Sequence, residues 1–259
     1  MRLYTLAAKN IKMKNILYIL LLSTQVFFAQ NGFEKGNEYY QKGNYTEAVA
    51  SYESVLRESK NSSELYFNLG NAYYKLNKVA PSIYNYEKAL VLNPNNKDAI
   101  NNLKFAQKRT IDEIKVIPKV GFAKLVRDFT GIYHYNTWGW ISVGLAVFFL
   151  LLFSGYYFSQ ITVSKRIFFF GMFLVIFLIL MSISSAIFEK SHFDTEKPAI
   201  VFAEMANVKS EPRNGGKPIF VLHEGTKVFV FEIIGKWKKI QLTDGTEGWI
   251  ESSAIREVK

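Results

Sequence analysis

The sequence contains no cysteine, and only three of its 259 residues are histidines. The lack of cysteine excludes disulfides, thiolate metal sites, a cysteine nucleophile and a lipidated N-terminal cysteine. His134, His192 and His223 lie in unrelated contexts and share no metal-ligand spacing. The HExxH, nucleophile-elbow and phosphate-loop motifs are also missing. We therefore expect a protein with no catalytic residues, no metal site and no cofactor.

Charged residues are absent from two long apolar segments. Neither Thr137–Phe158 nor Ile167–Phe188 contains an Asp, Glu, Lys, Arg or His. A helix needs about 20 apolar residues to cross a hydrocarbon core, so each segment is long enough. Only Ser159–Arg166 connects them. We expect a two-helix transmembrane hairpin rather than two buried helices of a soluble domain, because Phe168–Leu178 has no polar face.

The net charge of +10 is concentrated near the predicted membrane segments. Residues 1–30 and residues 119–166 each account for +4, whereas residues 188–259 are neutral. This distribution is a membrane-topology signal, and we expect no nucleic-acid partner. Because the spans hold no ionisable group, we expect an anchor rather than an ion path through this chain.

The N-terminal residues are typical of a secretory signal peptide. Two lysines precede the apolar stretch Ile16–Ala29, and a small residue stands before Gln30. We predict a signal peptide over residues 1–29, with Met13 as an alternative start. An uncleaved anchor is the alternative, because Phe27 is larger than the residue usual three positions before a cleavage site.

The N-terminal leader, residues 1–29, decides the predicted orientation of the spans. The three segments that flank the spans contain almost equal numbers of basic residues, so their charge does not decide it. An exported leader would place both soluble parts in the periplasm, on the inner membrane, with a cytoplasmic loop at 159–166. An uncleaved anchor gives the same orientation. A leader that is not inserted would leave both parts in the cytoplasm.

Two segments resemble each other at a fixed spacing, which indicates helical repeats. The matching pairs lie 34 residues apart: Gly36 with Gly70, Tyr39 with Tyr73, Tyr52 with Tyr86, and Val55 with Ala89. This pattern resembles the tetratricopeptide (TPR) repeat, in which small residues let two helices approach and aromatic residues fill the space opposite. We expect an all-α TPR solenoid over residues 31–115, closed by a capping helix, Lys97–Ile111.

Local signals predict where the repeat helices begin. Asn44 with Glu47 predicts a capping box for the second helix of the first repeat. Pro81 suits the first turn of the matching helix in the second repeat. Asn96 can cap the final helix.

The TPR resemblance implies a partner-binding concave face formed by the first helix of each repeat. It places there Phe33, Asn37, Tyr40, Phe67, Asn68, Asn71, Tyr74 and Asn101. Asparagine offers both a donor and an acceptor, which suits an extended peptide backbone. We do not expect a C-terminal carboxylate as the ligand. The positions that are cationic in carboxylate-binding TPR proteins are occupied in this sequence by Phe33, Asp98 and Asn102, so the carboxylate would have no counter-charge. The alternative is that these asparagines are ordinary solvated helix residues.

Residues 120–135 are predicted to form an interfacial amphipathic helix. Its apolar residues recur at helical spacing, on the side opposite the charged residues. They are Phe122, Leu125, Val126 and Phe129. Four aromatic residues at the start of the first span are predicted to form an interfacial belt: Tyr133, Tyr135, Trp138 and Trp140.

After Pro198 the apolar residues alternate, and Asp244-Gly245 predicts a tight hairpin. The motifs in Ala206–Pro212, His223–Val228, Gly235–Trp237 and Asp244–Ile250 resemble the bacterial SH3 (SH3b) domain. We expect an all-β SH3-like barrel over residues 198–259.

The SH3b resemblance implies binding of peptidoglycan or short peptides. Trp237 and Trp249 are candidates for stacking on a ligand, with structural packing as the alternative. We expect His223 and Glu224 to lie in a solvated turn.

The complete order of leader, TPR repeats, two spans and SH3b domain resembles the BatE family of bacterial aerotolerance (Bat) operons. The resemblance implies a multidomain, non-enzymatic, membrane-anchored periplasmic adaptor linked to oxidative-stress tolerance. Its implied partners are von Willebrand A-domain membrane proteins, other Bat proteins and a MoxR-type ATPase. The alternatives are an envelope sensor or anchor that binds peptidoglycan, and a subunit of an enzyme or transporter.

Overall fold

The computed structural model describes residues 32–114 and 121–259. The predicted signal peptide, residues 1–29, lies outside the described residues. The described chain divides into two compact units. One contains residues 32–114 together with Pro198–Lys259, and the other contains residues 121–197.

The first unit begins with repeat helices that pack on one another in sequence. They are α1 (32–41), α2 (Tyr45–Arg57), α3 (Ser63–Lys75), α4 (Val79–Leu92) and α5 (Lys97–Gln107). The predicted glycine–aromatic contacts between helices are confirmed. A Cβ on Gly70 would lie 2.8 Å from the Tyr86 ring, and Tyr52 crowds Gly36 in the same way. Only glycine therefore allows these helices to approach so closely.

Helix starts follow the predictions in two of three places. Asn96 caps α5 by accepting the Ala99 N–H at 3.0 Å, and Pro81 lies in the first turn of α4. The predicted capping box at Asn44 is wrong. Its side chain makes no capping bond, and the backbone carbonyl of Asn44 accepts the Ala48 N–H at 3.0 Å instead.

The capping helix α5 ends four residues earlier than predicted, at Gln107 rather than Ile111. The Thr110 hydroxyl donates to the Gln107 carbonyl at 2.8 Å. A side-chain hydrogen bond to a nearby carbonyl competes with continuation of the helix. The chain after Thr110 is therefore free to turn towards the C-terminal residues.

The C-terminal residues form one antiparallel sheet within 198–259. Its strands are β1 (Pro198–Val201), β2 (Met205–Lys209), β3 (Pro218–His223), β4 (Lys227–Ile234), β5 (Trp237–Gln241), β6 (Glu247–Glu251) and β7 (Ile255–Glu257). The strand order is β3-β2-β6-β5-β4-β1-β7. The predicted Asp244-Gly245 turn joins β5 to β6, with Gly245 at φ +85°. Val208, Val228 and Ile240 are fully buried between its strands.

Repeat helices and sheet share a hydrophobic core, which the sequence analysis did not predict. Ile200 of β1 and Val258, which follows β7, are fully buried in the cluster that contains Ile83 and Tyr86 of α4. In the other direction, Ile114 packs against the core of the sheet. The two modules are therefore one folded unit rather than two independent domains.

The second unit contains α6 (Phe122–Thr130), α7 (Tyr135–Phe158) and α8 (Thr162–Thr195). Helices α7 and α8 pack against each other, and both are long and apolar enough to cross a membrane. Their connection is Ser159–Ile161, shorter than the predicted 159–166. Helix α8 also exceeds its predicted bounds of 167–188, because helical hydrogen bonding continues through polar residues at both ends.

The predicted aromatic belt does not include Trp138, which is buried inside the second unit. Its Nε1 donates to the Thr130 carbonyl at 2.7 Å, and its own carbonyl accepts the Ser182 hydroxyl at 2.8 Å. Trp140, in contrast, is 75% exposed. The predicted interfacial helix corresponds to α6, whose apolar residues Phe122 and Leu125 are exposed.

Candidate functional site

A ladder of asparagine and tyrosine side chains crosses the repeat helices. Asn37 Oδ1 accepts the Tyr52 hydroxyl at 2.7 Å and Asn68 Nδ2 at 2.9 Å. The equivalent group in the next repeat, Asn71 Oδ1, accepts the Tyr86 hydroxyl at 2.6 Å and Asn102 Nδ2 at 2.8 Å. Each asparagine therefore ties neighbouring first helices to the second helix of its own repeat.

The ladder lines a groove of about 260 Å³ on the face formed by α1 and α3. The described residues that line the groove are all uncharged: Asn37, Tyr40, Gln41, Tyr52, Asn68 and Asn71. Burial raises the pKa of Tyr52 to about 12, with a smaller contribution from Tyr40, so the phenol remains a hydrogen-bond donor at neutral pH.

The groove retains unused hydrogen-bonding capacity. Within the described residues, no protein partner contacts Asn37 Nδ2, Asn71 Nδ2 or Asn68 Oδ1. Both donors and an acceptor therefore remain available on these three asparagines. This combination suits the N–H and C=O groups of an extended peptide.

The structure brings together half of the residues that were predicted for the concave face. Asn37, Tyr40, Asn68 and Asn71 line the groove. The other four do not line it: Phe33 packs against Tyr52, Phe67 against Tyr86, Tyr74 against the Arg109 guanidinium, and Asn101 is exposed on α5. Asn37, Asn68 and Asn71 form the ladder and are therefore not ordinary solvated residues, whereas the exposed Asn101 fits that alternative.

Four residues of this site were missed. Tyr52, Tyr86 and Asn102 belong to the ladder, and Gln41 lines the groove. Asn102 could have been found from the repeat, because it lies one period after Asn68. Gln41 has no counterpart in the repeat pattern that would have indicated it.

The two tryptophans of the sheet are buried, Trp237 to 4% exposure and Trp249 to 9%. Most of each indole therefore packs inside the domain. One side of Trp237 lines a groove of about 360 Å³ with Met205, Asn207 and Glu251. The Lys209 ammonium lies 4.8 Å from the Trp237 ring centre, at the edge of the same groove.

Repeat helices and sheet are joined by the Asp112 carboxylate. It accepts the His223 backbone N–H and the Thr226 hydroxyl, at 2.7 and 2.6 Å, and lies 2.7 Å from the His223 ring Nδ1. Burial alone would raise the pKa of Asp112, but these hydrogen bonds outweigh it and lower the pKa. The expected solvated turn at His223 is therefore wrong, because this turn is part of the contact between the modules.

A second polar contact strengthens the same junction. Lys227 Nζ lies 2.8 Å from both carboxylate oxygens of Glu87, which is buried on α4. Next to it, Gly225 has φ +86°, and a Cβ there would lie 2.8 Å from Thr110 and 3.0 Å from Val79. The turn before β4 can thus approach α4 only with glycine at this position.

Two parts of the chain match models of known families. Residues 36–77 match a TPR repeat model, and residues 63–96 match a tetratricopeptide repeat model. Residues 204–256 match the bacterial SH3 domain. Among curated proteins, none matches this sequence. The helices α1–α4 therefore contain TPR repeats, and the C-terminal sheet is an SH3 domain of the bacterial type.

These matches set the class of function. TPR repeats are protein-binding modules, and bacterial SH3 domains bind peptides or cell-wall material. The combination indicates a protein-binding or wall-binding adaptor. The groove lined by Asn37, Asn68 and Asn71 and the groove beside Trp237 are candidate binding surfaces.

Proposed function

We propose that this protein is a non-enzymatic, membrane-anchored adaptor that holds an extended segment of a partner protein in the TPR groove. The observation that supports this most directly is that Asn37 Nδ2, Asn71 Nδ2 and Asn68 Oδ1 have no hydrogen-bond partner among the described residues. They present donors and acceptors to a neighbouring backbone without any rearrangement of the ladder.

The partner segment is neutral where it contacts the groove. None of the described residues that line the groove is charged, so a carboxylate there would lose hydration without gaining a counter-charge. Tyr40 supplies an aromatic surface for one apolar side chain of the segment. The main-chain hydrogen bonds give affinity, and this contact gives selectivity.

The anchor is the hairpin of α7 and α8. At 1.5 Å per residue the 24 residues of α7 extend about 36 Å, enough to cross a hydrocarbon core of roughly 30 Å. We propose that the hairpin crosses the inner membrane, that Ser159–Ile161 lies in the cytoplasm, and that the TPR repeats and SH3 domain are periplasmic. The secretory character of residues 1–29 supports this orientation.

The order of modules supports a role like that of the BatE family. The partners would then be von Willebrand A-domain membrane proteins and other Bat proteins, in a complex with a MoxR-type ATPase that contributes to aerotolerance under oxidative stress. Both TPR and SH3 modules are present in the order that this family has.

Photo-cross-linking from a single groove position tests the adaptor proposal. A benzoylphenylalanine placed at Gln41 should yield a covalent product with a von Willebrand A-domain protein when the cells are irradiated. The same label at Glu47, an exposed residue of α2 outside the groove, is the matched control. Equal products at both positions, or no product at Gln41, would contradict the proposal.

Reporter fusions test the orientation. A periplasm-active reporter placed in the loop at Gln160 should be silent, whereas the same reporter after Lys259 should be active. Activity at the same level in both fusions would exclude the hairpin topology.

Peptidoglycan is the second candidate ligand, because the groove beside Trp237 combines an aromatic edge with the polar side chains of Asn207, Lys209 and Glu251. Sedimentation with purified sacculi should use the full-length protein in detergent, because Ile200 and Val258 of the sheet are buried against the repeats. Loss of sedimentation in Asn207→Ala would support this site. Sedimentation that does not differ between this variant and wild type would contradict it.

A further inference from the structure

A second cavity lies where the TPR repeats meet the SH3 domain. Its volume is about 440 Å³, and its walls come from α2, α3 and α4 together with Phe202 and Arg256 of the SH3 domain. On α3 it is lined by Tyr66 and Tyr73, whereas Asn68 and Asn71 line the groove. Residues two positions apart on a helix point about 200° apart. The cavity and the groove are therefore on opposite sides of α3.

The cavity has an excess of positive charge. Lys78, Lys88 and Arg256 line it, and in the described residues none of the three forms an ion pair. Glu53 is the one carboxylate of the described lining, and it accepts a hydrogen bond from the Tyr73 hydroxyl. The lining thus has two more positive than negative charges.

Aromatic rings hold two of these cations in place. The Arg256 guanidinium lies 4.2 Å from the Phe202 ring centre, and Lys88 Nζ lies 5.7 Å from that of Tyr84. Tyr84 and Phe202 also pack edge to face, with ring centres 5.5 Å apart. A guanidinium that already stacks on a ring is pre-oriented to bind a planar carboxylate.

Two further observations indicate that a ligand belongs here. Asn85 lines the cavity and donates to the Pro81 carbonyl at 2.8 Å, and its Oδ1 accepts no hydrogen bond from the described residues. Burial lowers the pKa of Lys88, so its ammonium is partly desolvated without a neighbouring anion. An anion bound in the cavity would supply the missing charge, and a backbone N–H beside it would have Asn85 Oδ1 as an acceptor.

We propose that this junction cavity binds an acidic peptide segment, with Arg256 and Lys88 holding its carboxylates and Tyr84 and Phe202 packing against an apolar side chain. A cavity of this volume accommodates a few residues of such a segment. Two carboxylates of the segment, each singly charged, match the excess of two positive charges in the described lining. Because Arg256 and Phe202 belong to the SH3 domain and the other groups to the repeats, the site is complete only while the two modules are docked.

Fluorescence anisotropy with purified full-length protein in detergent tests the proposal. The probe is a short fluorescein-labelled peptide of alternating glutamate and phenylalanine, and the comparison peptide has glutamine for glutamate. We expect saturable binding of the glutamate peptide alone. Arg256→Gln and Lys88→Gln should each weaken binding roughly five- to tenfold, which corresponds to about 1–1.4 kcal/mol. Added salt should also weaken binding.

Two variants serve as controls. Lys104→Gln removes an exposed cation of α5 that does not line the cavity, and Gln41→Ala alters only the opposite groove. Both should bind the peptide like wild type, so the result is independent of the groove proposal. Thermal melting should confirm that each variant is folded. No saturable binding, equal binding of the glutamine peptide, or unchanged affinity in folded Arg256→Gln would each overturn the proposal.

Discussion

The Asp112 carboxylate contacts His223 twice, through the backbone N–H at 2.7 Å and through ring Nδ1 at 2.7 Å. Asp112 follows the last repeat helix, and His223 ends β3 of the SH3 domain. Together with the Thr226 hydroxyl, one acid therefore satisfies three polar groups of the other module. The TPR repeats and the SH3 domain are joined by specific polar contacts as well as by a shared apolar core.

Replacement of Asp112 by alanine should destabilise the unit that contains both modules. The variant leaves the His223 N–H and the Thr226 hydroxyl without their acceptor, which should lower the free energy of unfolding by roughly 2–4 kcal/mol. Chemical denaturation measures the change. Glu113→Ala is the matched control, because this neighbouring acid is exposed and should change stability by less than about 0.5 kcal/mol. Similar losses in both variants would contradict the assigned role of Asp112.

The stabilisation by Asp112 should depend on pH. Its pKa in the folded protein lies below the ordinary value of 3.8, so the unfolded chain takes up a proton first as the pH falls. The stabilisation is complete above 3.8 and is lost as the pH falls through the lower folded value. Urea denaturation of wild type and Asp112→Asn should differ at pH 6, and the difference should shrink below 3.8. A difference that does not vary with pH would contradict the ionic contact.

Alanine substitutions at two glycines distinguish the cost of backbone strain from the cost of steric crowding at the junction. Gly225 and Gly245 have φ of +86° and +85°, but only Gly225 has close neighbours, in Thr110, Val79 and Ile83. Gly245→Ala should lower the free energy of unfolding by about 1 kcal/mol, and Gly225→Ala by roughly 2–4 kcal/mol. Equal effects in thermal or chemical unfolding would show that α4 does not pack against this turn.

Substitution of a ladder asparagine should destabilise the protein more than substitution of an asparagine on the surface. Asn71→Ala leaves the Tyr86 hydroxyl and Asn102 Nδ2 without an acceptor and should lower the free energy of unfolding by roughly 1–3 kcal/mol. Asn101→Ala, at an exposed position of α5, should change it by less than about 0.5 kcal/mol. If chemical denaturation gives the same midpoint for both variants, the ladder makes no net contribution to stability.

The sequence predicted each module because each has a strong local signal. The 34-residue spacing of Gly36 and Gly70 identifies the repeats, and the turn at Asp244-Gly245 with the alternating strands identifies the SH3 domain. The absence of charge in Thr137–Phe158 predicted a long apolar helix, which α7 confirms. The end of α8 was missed because helix formation does not stop where the apolar residues do.

The junction could not be predicted in the same way. An apolar residue such as Ile200 or Val258 is predicted to be buried, but periodicity does not show which surface covers it. His223 was interpreted as a solvated turn because its partner, Asp112, is 111 residues away in the sequence. The cavity beside Arg256 depends on the same long-range docking and has no local pattern at all.

Site-directed cross-linking tests most directly whether the TPR repeats and the SH3 domain form one folded unit in the cell. Because the sequence has no cysteine, the two introduced cysteines are the only thiols of the chain, and an internal cross-link can be told from a link to another chain by its mass. Glu87→Cys with Lys227→Cys replaces a pair in contact at 2.8 Å. Glu87→Cys with Lys239→Cys is the control, because Lys239 lies opposite Glu232, roughly 16 Å along β4 from Lys227. A short bifunctional thiol reagent, added to membranes from cells that express each variant, should join the first pair nearly completely and the control pair only slightly. Equal and low cross-linking of both pairs would contradict the docked unit.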